Sequence, residues 1–184
     1  MRMLLFLGFV LCCVSAPAPV WAAAPQSPVD KLFAQLKTAE TAEDAKPLET
    51  QILAAFLNSG SPSVDLLMTR AGTALAAGNK DVARHLYDNI TDIAPRYAEG
   101  WHRRGLMQSE NGEDGAAMVS LQRTVDLNPR HFEALTQLGE MLEDYGDKAA
   151  ALKMYRRALA LDPLFEGLQR HIDGLSRAVE GQGI

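Results

Sequence analysis

Apolar side chains recur every three or four positions along six stretches between residues 64 and 161, with polar residues between them. The last two stretches show the pattern most clearly, with Leu135, Leu138 and Leu142 on one and Leu152, Tyr155 and Leu159 on the other. This spacing lines one face of an α-helix. It predicts helices over residues 64–77, 80–93, 98–111, 114–127, 132–145 and 148–161, which short polar segments join into three helical hairpins.

Amphipathic stripes also flank this region. The stripe that follows it is typical of a helix that covers the open end of a helical stack, and it comprises Phe165, Leu168, Ile172 and Leu175. Two stripes precede the region, around a turn near residues 41–47, and comprise Val29, Leu32, Phe33 and Leu36, then Leu48, Ile52 and Phe56. The preceding pair is either an N-terminal cap or a degenerate fourth repeat. We expect the cap, because the pair lacks the glycine, alanine and proline residues that recur at matching positions in the three hairpins.

The three hairpins share a period of 34 residues. Four ladders, which are sets of matching residues at successive 34-residue intervals, show this period. They are Pro95, Pro129 and Pro163; Gly78, Gly112 and Gly146; Ala83, Ala117 and Ala151; and Ala71, Gly105 and Gly139. The glycines of the second ladder suit the left-handed residue that ends a helix, and each proline ends the second helix of its hairpin. Glycine at 105 and 139 lets paired helices approach closely. We expect Asn79, Glu113 or Asp114, and Asp147 to cap the second helices.

The first 24 residues differ from the rest. Arg2 precedes an apolar run from Leu4 to Ala16, and small residues follow it, as in a secretory signal peptide. Cleavage is expected after Ala22, with Ala24 as the alternative site. The apolar run is short for a membrane anchor, and no small residue precedes a cysteine as lipoprotein processing requires. We therefore expect an exported, periplasmic protein.

Composition narrows the partners. The formal net charge is −5, which disfavours nucleic acid and anionic lipid as ligands. Both cysteines, Cys12 and Cys13, lie within the apolar run and would leave with a cleaved signal. The mature chain would then have no disulfide, so its stability would come from packing alone.

The ladders resemble the tetratricopeptide repeat (TPR) family, and the layout resembles short exported TPR proteins of Gram-negative bacteria. The last repeat carries Leu135, Leu138, Gly139, Leu142, Gly146, Ala151, Tyr155, Ala158 and Pro163, and the middle repeat supplies Trp101. The resemblance implies an all-α TPR solenoid of three helix-turn-helix repeats, with an N-terminal helical pair and a C-terminal capping helix. The expected organisation is a signal peptide at 1–24, the helical pair and linker at 25–63, repeats at 64–97, 98–131 and 132–163, and the capping helix and tail at 164–184.

In the family, the first helix of each repeat lines a concave groove that binds peptides or partner helices. The resemblance maps a peptide-binding groove here onto Met68, Leu75, His102, Arg103, Leu106, Glu133, Gln137, Glu140 and Glu143. The Lys and Asn residues that grip acidic carboxyl tails of chaperones are missing from these places, which disfavours that mode of recognition. Arg70 and Arg104 stand where the family usually has a buried leucine, so each is expected to lay its stem along the core and pair with a carboxylate.

The sequence contains no catalytic or metal-binding motif, so no enzyme activity, cofactor or metal is expected. His131 is expected to be exposed beside a helix start, while His102 either touches a ligand in the groove or is an ordinary exposed histidine. The predicted function is a periplasmic adaptor or scaffold that binds a polypeptide segment of unknown identity in its groove. The alternative is a structural subunit of an envelope, secretion or cytochrome-assembly complex, held by the convex face or by the N-terminal helices.

Overall fold

The computed structural model describes residues 27–181, which form nine α-helices and no strand. The helices are α1 (Pro28–Leu36), α2 (Ala42–Phe56), α3 (Pro62–Ala76), α4 (Lys80–Ile93), α5 (Ala98–Glu110), α6 (Asp114–Leu127), α7 (Phe132–Asp144), α8 (Lys148–Leu161) and α9 (Leu168–Glu180). Within the described range, no helix is long and apolar enough to cross a membrane. The predicted signal peptide lies outside the described residues.

Helices α3 to α8 pack as three antiparallel hairpins, and α9 packs on α8, which confirms the predicted all-α solenoid. The three turn glycines have φ angles of 78°, 75° and 86° at Gly78, Gly112 and Gly146, as a left-handed helix end requires. The caps that follow differ from the prediction. Asp147 accepts a hydrogen bond from the backbone N–H of Ala150, but the side chains of Asn79 and Glu113 make no capping bond. The glycine turn therefore suffices to start α4 and α6.

The close helix approach predicted at two glycines is present. A Cβ atom at Gly105 would lie 3.1 Å from Leu121, and one at Gly139 would lie 2.6 Å from the ring of Tyr155. The two arginines differ from each other. Arg104 donates from Nε to Asp88 at 2.7 Å and lies over Trp101, as expected of a paired stem, whereas Arg70 is exposed. The prediction of a stem laid along the core was therefore wrong for Arg70.

The N-terminal hairpin, α1 with α2, does not cover the first repeat, so the expected cap was wrong. The apolar cluster of the first repeat is built from α3, α4 and Met107, without any residue of the hairpin. The buried hairpin residues instead join the core of α6 to α9, and they are Phe33, Leu36, Ala45 and Ile52. Helix α2 also begins earlier than the predicted turn allowed, because Thr41 caps it and Pro47 lies inside it.

Aromatic rings and one ion pair fix the hairpin on the third repeat. The ring of Phe33 lies 6.4 Å from Phe56 in its own hairpin and 6.4 Å from Phe132 at the start of α7. Arg130 pairs with Asp30 of α1, and its guanidinium carbon lies 4.0 Å from the centre of the Phe33 ring. The hairpin thus lies along the edge where one repeat connects to the next.

Candidate functional site

The predicted groove residues do not share one open surface. His102 and Met68 are buried, Glu140 is exposed, and the other six are partly buried. Helix α2 accounts for this separation. Its C-terminal end places Phe56 5.0 Å from His131 and the Leu57 carbonyl within 2.8 Å of the Tyr97 hydroxyl, while its first turns lie near Phe165 and Glu166. A pocket lies beside each end of α2, with a buried polar centre between the second and third repeats.

The polar centre is formed by Glu99 and His102 of α5, His131 before α7 and Gln137 of α7. Glu99 is only 2% exposed and accepts two hydrogen bonds, from Arg103 Nε at 2.6 Å and from His131 Nε2 at 2.9 Å. His102 Nε2 lies 2.8 Å from Gln137 Oε1. Its Nδ1 atom lies 3.4 Å from Glu99 Oε2 and has no hydrogen-bond partner among the described residues. The centre therefore connects two repeats but leaves one buried nitrogen unsatisfied.

Burial and neighbouring charges oppose each other at this centre. Burial alone would raise the pKa of Glu99, but its contacts with His102 and His131, together with Arg103, outweigh burial and hold the pKa far below the usual range. Burial lowers the pKa of His131, and the hydrogen bond to Glu99 only partly opposes that shift. Glu99 is thus a carboxylate and His131 a neutral ring at neutral pH.

His131 was expected to be exposed, and that expectation was wrong. Its side chain is fully buried, and its Nδ1 accepts the backbone N–H of Ala134 at 3.3 Å as the cap of α7. The 34-residue register contains the signal that was missed. His131 occupies the same repeat position as Tyr97 and Phe165, so the position carries a ring in all three places. His102 is likewise buried rather than exposed, with 1% of its side chain accessible.

The first-repeat pocket has a volume of about 560 Å³. Apolar contact is offered by Met68, Leu75 and Tyr87, and polar contact by Asp65, Thr69 and Arg103. Leu57 and Asn58, from the segment after α2, form its rim. The pocket therefore suits a mainly apolar side chain with a polar group at one side.

The third-repeat pocket has a volume of about 500 Å³ and is acidic. It is lined by Thr136, Glu140, Glu143, Asp144, Tyr155, Phe165, Glu166, Gly167, Leu168 and His171. Glu143 already accepts hydrogen bonds, from the Tyr155 hydroxyl at 3.1 Å and from His171 Nε2 at 2.6 Å. Glu140 and Asp144 are the exposed carboxylates of α7 here, and desolvation by the surrounding protein together with the charge of Asp144 raises the pKa of Glu140.

A third cavity, of about 520 Å³, lies on α6, the second helix of the middle repeat. Its apolar walls come from Trp101, Met118, Val119, Leu138 and Leu142, and Val119 is 67% exposed. No binding residue was predicted on this surface, because its apolar side chains follow the same helical spacing as the residues of the core. It is a second apolar surface, built by helices α5, α6 and α7.

Comparisons with known proteins agree with this geometry. The family model for the tetratricopeptide repeat matches residues 132–163. A TPR repeat-containing protein of Rhizobium etli is 28% identical over 101 residues, which cover 55% of this chain and 50% of that relative. The chain thus spans about half the length of the curated relative it matches.

Solved structures share the fold at lower identity. A crystal structure of MamA has a TM-score of 0.58 at 22% identity and covers 86% of each chain. The first TPR domain of RPAP3 (Spaghetti), bound to an HSP90 peptide, has a TM-score of 0.58 at 20% identity and covers 64% of this chain and 93% of that one. The Yersinia enterocolitica type III secretion chaperone SycD, in complex with a peptide of the translocator YopD, has a TM-score of 0.57 at 16% identity and covers 67% of this chain and 97% of that one.

The chain carries a tetratricopeptide repeat at residues 132–163 and has the all-α solenoid fold of TPR structures. Two of the solved structures, RPAP3 and SycD, hold a peptide. The fold is consistent with a protein-protein interaction adaptor.

Proposed function

We propose that this chain is an exported, periplasmic adaptor that holds a polypeptide segment at the two pockets beside α2. The observation that carries the proposal is the pair of pockets, one mainly apolar and one acidic, on helices that line the groove in TPR proteins. The segment it fits is apolar at one end and basic at the other. The complexes of RPAP3 and SycD show that neighbours of this fold hold peptides, although the HSP90 peptide of RPAP3 is acidic rather than basic.

The acidic pocket gives the proposed partner its chemistry. Glu140, Asp144 and Glu166 are exposed carboxylates beside the partly buried ring of Phe165. A lysine or arginine side chain can lay its apolar stem on that ring while its charged end reaches the carboxylates. Because exposed charges mainly set the encounter rate and the register, the apolar pocket supplies much of the residence time.

Charge reversal tests this proposal. The chain is used to capture proteins from periplasmic extract, and one protein is expected to be retained by the wild type and lost with Glu140→Lys plus Asp144→Lys. The control reverses two exposed acidic residues of α4, Asp81→Lys plus Asp92→Lys, and should retain the same protein. Equal retention by both double variants would contradict binding at the acidic pocket.

Export has its own test, which does not depend on the partner. Mass spectrometry of the mature protein should find an N-terminus at Ala23, or at Pro25 if the alternative cleavage site is used. A mature protein that retains Met1 would contradict the cleaved signal.

A second candidate function is that of a structural subunit in an envelope, secretion or cytochrome-assembly complex. The exposed apolar cavity on α6 favours this candidate, since Val119 and Met118 offer a contact surface apart from the groove. In that case Val119→Glu should disrupt assembly while the reversal at Glu140 and Asp144 leaves it intact. Phe33 is a poor probe of assembly through the N-terminal helices, because it is only 5% exposed and belongs to the core.

A further inference from the structure

The buried polar centre combines three donor atoms of the types that bind transition metals. Glu99 Oε2, His102 Nδ1 and His131 Nε2 converge within 4.8 Å of one another, and all three residues are buried. His102 and Glu99 lie three residues apart on α5, whereas His131 precedes α7, so folding adds the third donor to a pair that one helix already presents together. Two imidazoles and one carboxylate form a known zinc-binding set.

The distances between these atoms fit a small ion. Zinc bonds of about 2.0–2.1 Å in a tetrahedral site place neighbouring donors about 3.3 Å apart. Here Glu99 Oε2 lies 3.4 Å from His102 Nδ1 and 2.9 Å from His131 Nε2. Two of the three donor pairs thus lie close to the edge length of such a tetrahedron, and the third pair, His102 Nδ1 and His131 Nε2, lies within 4.8 Å.

The unsatisfied nitrogen of His102 is the independent observation that points to a ligand. Its side chain is 1% exposed, and Nδ1 has no hydrogen-bond partner in the part of the chain that the structure describes. Its other nitrogen, Nε2, lies 2.8 Å from Gln137 Oε1. A histidine that donates one ring N–H to an oxygen presents the lone pair of its other nitrogen, which is the arrangement that metal-binding histidines adopt.

Of the other two donors, Glu99 is already oriented for a metal, whereas His131 would have to change tautomer. Arg103 holds Glu99 Oε1 at 2.6 Å, so Oε2 is the oxygen that faces the two rings. His131 would have to move its single ring proton from Nε2 to Nδ1 to bind through Nε2. That change gives up the 3.3 Å hydrogen bond from Ala134 N–H, and no proton leaves the ring.

We propose that Glu99, His102 and His131 bind a divalent transition metal ion of the zinc class between the second and third repeats. The ion would join α5 to the start of α7, where Phe56 of α2 contacts the His131 ring. Three protein donors leave the fourth position of a tetrahedral zinc site to a water. Gln137 is a positioning residue that orients His102. Of the residues that support the site, Arg103 also lines the first-repeat pocket.

Zinc binding is tested on the full chain without an affinity tag, with Cys12→Ser and Cys13→Ser so that no thiol supplies a ligand. Competition against a chromophoric zinc chelator should show one ion per chain, and zinc should raise the thermal unfolding midpoint. Binding of Co²⁺ should give visible absorption typical of a tetrahedral nitrogen and oxygen site. A chain that fails to compete for zinc and gives no cobalt spectrum would overturn the proposal.

Variants locate the site. His102→Gln should lose the competition, whereas His85→Gln, at an exposed histidine of α4, should keep wild-type affinity. Gln137→Ala leaves all three ligands in place and should weaken zinc binding about 10–100-fold, as loss of a ligand's supporting hydrogen bond does. If His102→Gln does not fold, the zinc affinity of Gln137→Ala is the test of this site. Wild-type affinity in Gln137→Ala, or in a folded His102→Gln, would place any bound zinc elsewhere.

Discussion

The ring of Tyr155 occupies the space that a side chain at Gly139 would need. A Cβ atom there would lie 2.6 Å from Cε1 of Tyr155, closer than carbon atoms approach without something shifting. The hydroxyl of Tyr155, on α8, donates to Glu143 of α7, so the ring is held between the two helices. Gly139 thus makes room for a large ring between paired helices.

Replacing Gly139 by leucine should therefore destabilise the fold. Overpacking of this kind costs about 1–3 kcal/mol of unfolding free energy. The matched control is Gly72→Leu in α3, where a Cβ atom would meet nothing within 4 Å. That change should gain roughly 0.5–1 kcal/mol from better helix propensity. Urea denaturation measures both, and equal midpoints would show that the α7–α8 contact is misassigned.

Docking of the N-terminal hairpin on the third repeat should make Phe33 essential for stability. Phe33→Ala removes a ring that contacts Phe56 and Phe132, and deletion of a buried aromatic side chain costs about 3–5 kcal/mol. The control is Leu66→Ala in α3, since Leu66 is 51% exposed and its loss should change stability by less than about 0.5 kcal/mol. A hairpin that does not dock would give similar small effects for both.

The ion pair between Asp30 and Arg130 should be visible in a titration. The hydrogen bond from Arg130, with those from Ser27, lowers the pKa of Asp30 from 3.8 to about 2. A carboxyl group whose pKa is lower in the folded state stabilises that state above the ordinary pKa, and this contribution is lost as the pH falls towards 2. Carboxyl-carbon NMR of Asp30 reports the value directly.

Arg130→Gln provides the comparison for that titration. Without the guanidinium the pKa of Asp30 should rise towards its ordinary value. The free energy of unfolding that the ion pair contributes at neutral pH should then be lost. An Asp30 pKa that is the same in both proteins would mean that the pair does not form.

Local patterns predicted the repeats well, because their signals lie within each 34-residue unit. Helices α4, α6 and α8 begin and end where the apolar spacing, the glycines and the prolines placed them, and α3 begins two residues early because Pro62 starts it. The first helix of each repeat, which is α3, α5 or α7, ends one residue earlier than expected, before the glycine turn.

Contacts between residues far apart in the chain could not be predicted from the pattern of the sequence. The contact of Asp30 with Arg130 joins residues 100 positions apart, and no local signal distinguishes a hairpin that caps the first repeat from one that folds onto the third. The same packing places Phe56 against His131, so the histidine that was predicted to be exposed is buried beside His102. The groove residues were predicted by register, and of the nine only Met68, Leu75, Arg103, Glu140 and Glu143 line a pocket beside α2.

Binding at the acidic pocket should weaken as salt rises. Exposed charges are screened over about 10 Å at 0.1 M salt, so the association rate should fall more than the dissociation rate rises. Surface plasmon resonance with the captured partner's basic segment, over a salt series, measures both rates. An affinity that does not change with salt would show that the carboxylates of α7 do not face the ligand.

Binding of a basic part of a polypeptide partner at the acidic pocket of the third repeat can be tested by its rate of association. The rate is measured for Glu140→Lys plus Asp144→Lys and compared with that for Asp81→Lys plus Asp92→Lys at the same salt concentration. The two variants carry the same change of net charge, so their difference reports position alone. Association should be slower for the α7 variant and close to the wild-type rate for the α4 variant. Equal rates for the two variants, or a bound segment that is acidic throughout, would rule out binding of a basic segment at this pocket.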